Sequence, residues 1–276
     1  MTTTGVKATL APTDTQLPKG NRVRFQKLRV FAALVLREMT ARYGRSFGGY
    51  FWAVAEPTGG VVLLALVFSF ALYRPPLGNS FMVFYATGII PFYLYNTTAA
   101  SAAAAVQANR GLLTYPVVSA LDTVLARIFL ESLNYVMITV VLFPLLIIWD
   151  DAIVDIAPEH IAMSMFMAAT LGLGIGTMNC VINGFLPTWR IIWNVLNRPL
   201  FIISGVMFPY NMIPEPARSW LWYNPLIHVV GEMRRGFYSS YDGGYISYSL
   251  VFAVSLTLFV IGGYLLRRHE GYLIEH

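Results

Sequence analysis

Long apolar stretches recur along this chain, each of about the twenty residues that a 30 Å slab of hydrocarbon demands of a helix, and they constrain the fold more than any other feature. They fall near residues 51–72, 82–105, 122–149, 161–186, 191–208 and 246–266. The second carries Pro91, and the fifth a polar run from Asn194 to Arg198. With 57% of its 276 residues hydrophobic and 12% charged, the chain has more apolar surface than one soluble core could bury. No series of short alternating strands is visible, and lipid offers no partner to backbone N–H and C=O groups, so helices rather than a barrel must satisfy them. The pattern predicts an all-α polytopic membrane protein: six transmembrane helices, an amino-terminal amphipathic interface helix, and re-entrant helices between spans five and six.

The formal charge of +5 is concentrated ahead of the first span, in Lys7, Lys19, Arg22, Arg24, Lys27, Arg29, Arg37, Arg42 and Arg45. Cations flanking a span stay on the cytoplasmic side, so this end is expected inside and nucleic acid is not the expected partner. Counting spans puts Arg110, Arg190, Arg267 and Arg268 inside as well. The loop with Asp150, Asp151, Asp155 and Glu159 falls outside, and both termini are cytoplasmic. The segment 209–247, with Arg218, Arg234 and Arg235, is the exception. No cleavable signal peptide is expected, because the first apolar run starts about fifty residues in and is too long for one. The single cysteine, Cys180, excludes an intramolecular disulfide and reads as a small buried hydrophobe.

Residues 1–21 are rich in Thr, Pro and small residues and read as a disordered cytoplasmic tail. Residues 22–46 read as the interface helix, with Leu28, Ala32, Val35, Met39 and Tyr43 forming an apolar stripe beside cations that would sit near lipid phosphates. Residues 47–276 form the permease domain. The inner loop between spans two and three contains Asn109, Arg110, Leu112, Leu113 and Tyr115. It reads either as a docking knob for a soluble partner or as an interfacial turn with its apolar residues in lipid. Pro209 to Tyr248 is too long for a turn and too apolar for a free loop. Two short helices dipping into the outer leaflet, broken at Asn224-Pro225, would gate a conduit.

Polar residues inside spans are expensive and are functional candidates by default. Asn179 and Asn183 share a helix face, as do Asn194 and Arg198, with Asn197 beside them and Trp189 and Trp193 one turn apart. Amides, a guanidinium and aromatic faces suit a sugar-conducting path; interhelical hydrogen bonding is the other reading. Arg127 and Glu131 are spaced to pair with each other or with Asp122. Gly172 and Gly176 point to close helix packing rather than a dinucleotide fingerprint. No G-x-x-x-x-G-K-[ST] occurs and no lysine follows Lys27, so the chain has no P-loop. His228 and Glu232 would be half a metal site without further ligands, and Ser204 lacks the setting of a hydrolase nucleophile. No catalytic or metal residues are therefore assigned.

Three stretches taken together carry a family resemblance. The first is Leu36 to Ser46 (LREMTARYGRS), followed by Gly49-Tyr50-Phe51-Trp52 and Glu56-Pro57. The second is Asn109 to Pro116 (NRGLLTYP), continuing through Leu121-Asp122, Ala126-Arg127 and Leu130-Glu131. The third is Ser204 to Phe208 (SGVMF), with Asn224 to His228 (NPLIH), Glu232, Arg235, Gly236 and Phe237. From about Arg37 to Tyr272 the chain resembles the permease subunits of bacterial ABC exporters for capsular polysaccharide and O-antigen, of the KpsM and Wzm kind. The inner loop looks most like the group-2 capsule branch.

The resemblance implies a homodimeric permease in the bacterial inner membrane, paired with two copies of a separate ATPase that binds the ATP and Mg. It also implies a lipid-linked polysaccharide as cargo, with a periplasmic co-polymerase and an outer-membrane export protein continuing the conduit. On that footing Arg37, Arg42 and Arg45 are expected to receive the lipid anchor, and Asn109, Arg110, Leu112, Leu113 and Tyr115 to couple to the ATPase. Trp220, Trp222, Tyr223, Asn224, Pro225, His228, Glu232 and Arg235 would form the periplasmic gate. The same architecture could move O-antigen, a teichoic acid, a drug or a lipid. A membrane-embedded transferase would need a base that the sequence does not offer.

Overall fold

The computed structural model describes residues 19–43, 49–113 and 118–275, and among these every regular element is helical. The helices are α1 (Lys19–Tyr43), α2 (Gly49–Ala71), α3 (Phe81–Ala103), α4 (Ala105–Ala108), α5 (Arg110–Leu113), α6 (Ala120–Trp149) and α7 (Pro158–Phe185). After them come α8 (Trp189–Ile203), a 3₁₀ turn at Tyr210–Met212, α9 (Ala217–Leu221), α10 (Pro225–Arg235), α11 (Tyr248–Arg268) and α12 (Glu270–Glu275). All six expected spans are helices, but among the described residues only four helices, α2 from Val54, α6, α7 and α11, are long and apolar enough to cross a membrane by length and composition.

The other two depart for different reasons. Helix α3 has the length, but Gly88, Asn96, Thr97, Thr98 and Ser101 dilute its hydropathy; it can carry them because α2, α6, α7 and α10 enclose it. Helix α8 stops at Ile203, short of the expected boundary at 208, because the chain turns through Gly205 at φ +81°, a conformation that favours glycine.

The bundle is centred on α3 and α7, and the glycines explain how closely they approach. A Cβ added at Gly172 would stand 2.9 Å from the Tyr95 carbonyl, and one at Gly176 2.7 Å from that of Ala99, so this face of α7 lies directly on α3. Gly174, on the opposite face, admits the Ser255 carbonyl of α11 closer still to the same imagined atom. Small residues that let backbones meet are the usual means of packing helices where lipid removes the hydrophobic drive.

Helix α1 lies against α6, with Leu34 buried and the Phe31 and Phe129 rings edge to face at 5.8 Å. The face that packs carries Phe31, Leu34 and Glu38. The expected stripe is rotated away from it, with Ala32 exposed and Met39 40% exposed.

Candidate functional site

The α4–α5 end of the bundle holds the first group of candidate residues. Helix α3 ends at Ala103, and Asn109 separates α4 from α5. Asn109 is buried, and its side chain is fully engaged: Oδ1 accepts from Arg37 Nη1 at 2.6 Å, while Nδ2 donates to Glu38 Oε1 and to the Ala105 carbonyl, both at 3.0 Å. Glu38 Oε1 also pairs with Arg127 Nε of α6 at 3.1 Å. Arg127 Nη1 donates to the Ser101 carbonyl at 3.4 Å, and the Ser101 hydroxyl donates to the Glu131 carboxylate. Arg127 thus reaches the interface helix, a partner not foreseen from the sequence. Asp122 closes a capping box with Ser119 at the start of α6.

Leu113 corrects one expectation. Rather than projecting as a knob, it is buried in a cluster with Val106, Val124, Cys180 and Leu273, the last from α12. Glu270 Oε1 of α12 accepts the Ala120 N–H at 2.8 Å, and Tyr272 stacks on Phe185 with ring centres 5.5 Å apart. Leu112 and Arg110 remain half-buried. Tyr115 and Arg45 lie outside the described residues, as does the side chain of Arg42.

Between α3, α7 and α8 opens a polar cleft of about 330 Å³. Asn179, Asn183, Trp193 and Asn194 line it, with Asn96, Gln107 and Arg190, so four residues predicted from scattered sequence positions meet there. Trp189 Nε1 donates to Asn179 Oδ1 at 2.9 Å, while Asn179 Nδ2 and Asn183 Oδ1 are buried without a hydrogen-bond partner. Asn197 donates to Asn96 of α3 above the cleft. Arg198 is exposed on α8 and does not line it. Buried polar atoms left unpaired are uncommon and call for an explanation.

The opposite end is closed by the segment after α8. Asn224 caps α10, accepting the Leu226 N–H at 3.1 Å, and its amide donates to the Ile203 carbonyl at 3.0 Å, tying α10 to the end of α8. Pro225 occupies the first turn, where its missing N–H is not needed. His228 is buried and committed on both sides: Nε2 donates to the Trp222 carbonyl at 2.8 Å and Nδ1 accepts the Ser247 N–H at 3.2 Å, which requires the neutral ring. Glu232, also buried, lies between His160 Nδ1 at 2.8 Å and Arg235 Nη1 at 3.4 Å, so the sequence pair His228 and Glu232 does not act together. Trp222 donates to the Tyr245 carbonyl, whereas Trp220 and Tyr223 are exposed. On the outer turn, Ser219 and Arg218 hydrogen-bond to Glu215 and hold its carboxyl below the usual carboxylate range. Ser204 is buried and donates to the Phe201 carbonyl, a helix-end contact rather than a nucleophile's setting.

The residue that sequence reasoning missed is Arg234. It is buried beside Arg235, with Nη2 3.0 Å from the Val206 carbonyl and Nη1 3.4 Å from that of Phe208. Its guanidinium stands over the Phe84 ring at 4.5 Å. Its mark in the sequence was as one of the three cations of 209–247 that oppose the charge rule. His160, Glu38 and Asn96 carried no sequence signal of the partners they meet.

Residues 29–238 match the model of the ABC-2 type transporter family. The polysialic acid transport protein KpsM of Escherichia coli is 34% identical over 245 residues, which cover 85% of this chain and 91% of that one. The capsule polysaccharide export inner-membrane protein BexB of Haemophilus influenzae is 27% identical over 236 residues, 85% and 88% of the two chains. The O-antigen export system permease protein RfbA of Myxococcus xanthus is 25% identical over 225 residues, 79% and 83%. A bundle of apolar helices around a polar cleft, matched over most of its length by a transporter family, leaves one assignment: the chain belongs to the ABC-2 type transporter family.

Proposed function

We propose that this chain is the transmembrane permease of an ATP-driven exporter that carries lipid-linked capsular polysaccharide from cytoplasm to periplasm, with ATP hydrolysed on a separate subunit. The similarity to capsule-export permeases along most of the chain carries the reading. The cleft between α3, α7 and α8 supports it, since its amides and Trp193 offer sugar-binding chemistry in an otherwise apolar bundle.

On this reading all six long segments are spans and both termini are cytoplasmic. The α4–α5 end meets two ATPase subunits, and the α10 end forms the periplasmic gate. Helix α8 has no buried residue and exposes Ile191, Ile192, Val195 and Leu196 along one flank, a face suited to a second copy of the chain in a homodimer. Arg37, Arg42 and Arg45 border the entry for the lipid anchor. A periplasmic co-polymerase and an outer-membrane protein extend the path. O-antigen is the second reading of the cargo, favoured by the likeness to RfbA. Deleting the gene tests the function: lipid-linked glycan should accumulate inside the cell and disappear from the surface, and its composition names the cargo. Undiminished surface polysaccharide would refute export by this chain.

A further inference from the structure

Helix α3 runs on into the four-residue α4 with helical hydrogen bonds kept at Ala104, and the helical path is interrupted at Asn109, before α5. Side chains offer force arriving at residues 109–113 a second route into the bundle. The described contacts supply one continuous route. Asn109 is bound to Arg37 and Glu38 of α1, Glu38 to Arg127 of α6, Arg127 to the Ser101 backbone of α3, and the Ser101 hydroxyl to Glu131 of α6.

Two features separate this chain of contacts from ordinary packing. First, it is polar and nearly enclosed: Asn109 is 2% exposed, and the Glu38 and Arg127 side chains 15% each. Well-packed apolar residues of similar size would hold α1 to α6 at least as firmly as an ion pair that must be desolvated. Charge of this kind within a membrane protein marks function more often than stability. Second, it is directional. The hydrogen bonds of Asn109 fix a distance and an angle between the loop and α1, with the Glu38–Arg127 ion pair beside them, whereas the apolar contact of Phe31 with Phe129 allows sliding.

We propose that Asn109 and Glu38 clamp the inner loop and α1 into one moving body, with Glu38 the positioning residue that passes the stroke through Arg127 to α3 and α6. The proposal rests on the exporter reading above and names how that machine is coupled. It gives α1 a mechanical role, since the interface helix then moves with the loop and is not a passive anchor.

The test uses the full permease with its ATPase in proteoliposomes. The vesicles are loaded with the glycolipid fraction that accumulates in cells lacking the permease, and transport is read as glycolipid sheltered from added periodate. In a Cys180→Ala background, Glu38→Cys and Asn109→Cys are combined. The native atoms lie 3.0 Å apart, so a short bifunctional thiol reagent spans the pair. Without reagent, the complex should still assemble and hydrolyse ATP but shelter about tenfold less glycolipid per ATP. Crosslinking rejoins the loop to α1 but cannot replace the Glu38–Arg127 pair, so transport should stay low.

Unimpaired transport before crosslinking overturns the proposal, and so does full recovery on crosslinking, which would show that the joined loop and α1 need no link from Glu38 to Arg127. Should the double variant fail to assemble, the isosteric Glu38→Gln replaces it. The expectation is then the same loss of glycolipid per ATP with an unchanged melting point, and normal transport again overturns the proposal. A Cys180→Ala background that hydrolyses ATP yet shelters no glycolipid sinks the exporter reading itself, an outcome distinct from selective loss in the variants.

Discussion

Replacing Arg234 by Met should loosen the α10 end of the bundle more than any exposed substitution in the same segment. The guanidinium is buried and holds two carbonyls of the 204–208 turn, at 3.0 Å and 3.4 Å, while standing 4.5 Å from the Phe84 ring centre. Hydrogen bonds to a charged donor contribute about 1.5 to 3 kcal/mol each, and a desolvated cation–π contact about 0.5 to 2 kcal/mol. The longer of the two bonds counts at the low end, and methionine recovers part of the apolar packing, leaving a net loss of about 3 to 5 kcal/mol. At roughly 2 to 4 °C per kcal/mol for a chain of this size, the melting midpoint should fall by about 10 °C. The protein carries its own reporter, since its single cysteine, Cys180, is buried and becomes reactive toward a fluorogenic maleimide only when the bundle opens. Arg234→Lys keeps the charge but loses the planar fork, and should fall between parent and Met variant. A Met variant melting within about 2 °C of the parent would show that the turn is held by the seating of Val206 against Gly88, with the guanidinium incidental.

Gly174→Ala should destabilise by several kcal/mol in the same melting assay, about the cost of overpacking a tight contact, because its Cβ would run into the Ser255 carbonyl. Gly59→Ala, with nothing within 4 Å, should be neutral or stabilising. Leu113→Ala should lower the melting point, a buried leucine costing about 2 to 5 kcal/mol. Leu112→Ser should leave melting unchanged and reduce copurification of the ATPase; the reverse pattern would return the docking role to Leu113. With Cys180 removed, cysteines at positions 151 and 242 should react with an impermeant maleimide in intact cells and one at 110 should not; labelling at 110 alone would invert the topology.

Where a side chain answers to its own helix, the sequence is readable. Apolar length places α2, α6, α7 and α11 to within a few residues, and Asn224-Pro225 marks the start of α10 through capping chemistry that needs no tertiary partner. The glycines at 172 and 176 announce a close approach, although the sequence does not say to what. Packing between helices is not readable. The expected stripe of α1 misses the packed face because apolar spacing alone cannot tell the face that meets α6 from one that meets lipid. Leu113 escapes a sequence reading because the cluster that holds it draws on α6, α7 and α12, distant along the chain.

The charge exception shows how such errors resolve. Arg218, Arg234 and Arg235 oppose the orientation that the rest of the chain demands if they are counted as free cations near a span. None is free in the structure. Arg218 pairs with Glu215 at 2.8 Å, Arg235 shares Glu232 with His160, and Arg234 is spent on carbonyls and an aromatic face inside the fold. The inside-positive bias concerns cations near the ends of spans that face the bilayer surface; a guanidinium bound by carboxylates or carbonyls of its own fold no longer acts as one. The buried Arg234 therefore carries no weight against the expected cytoplasmic amino-terminal end, whereas Arg218 is paired only at the surface, 40% exposed beside a 49% exposed Glu215.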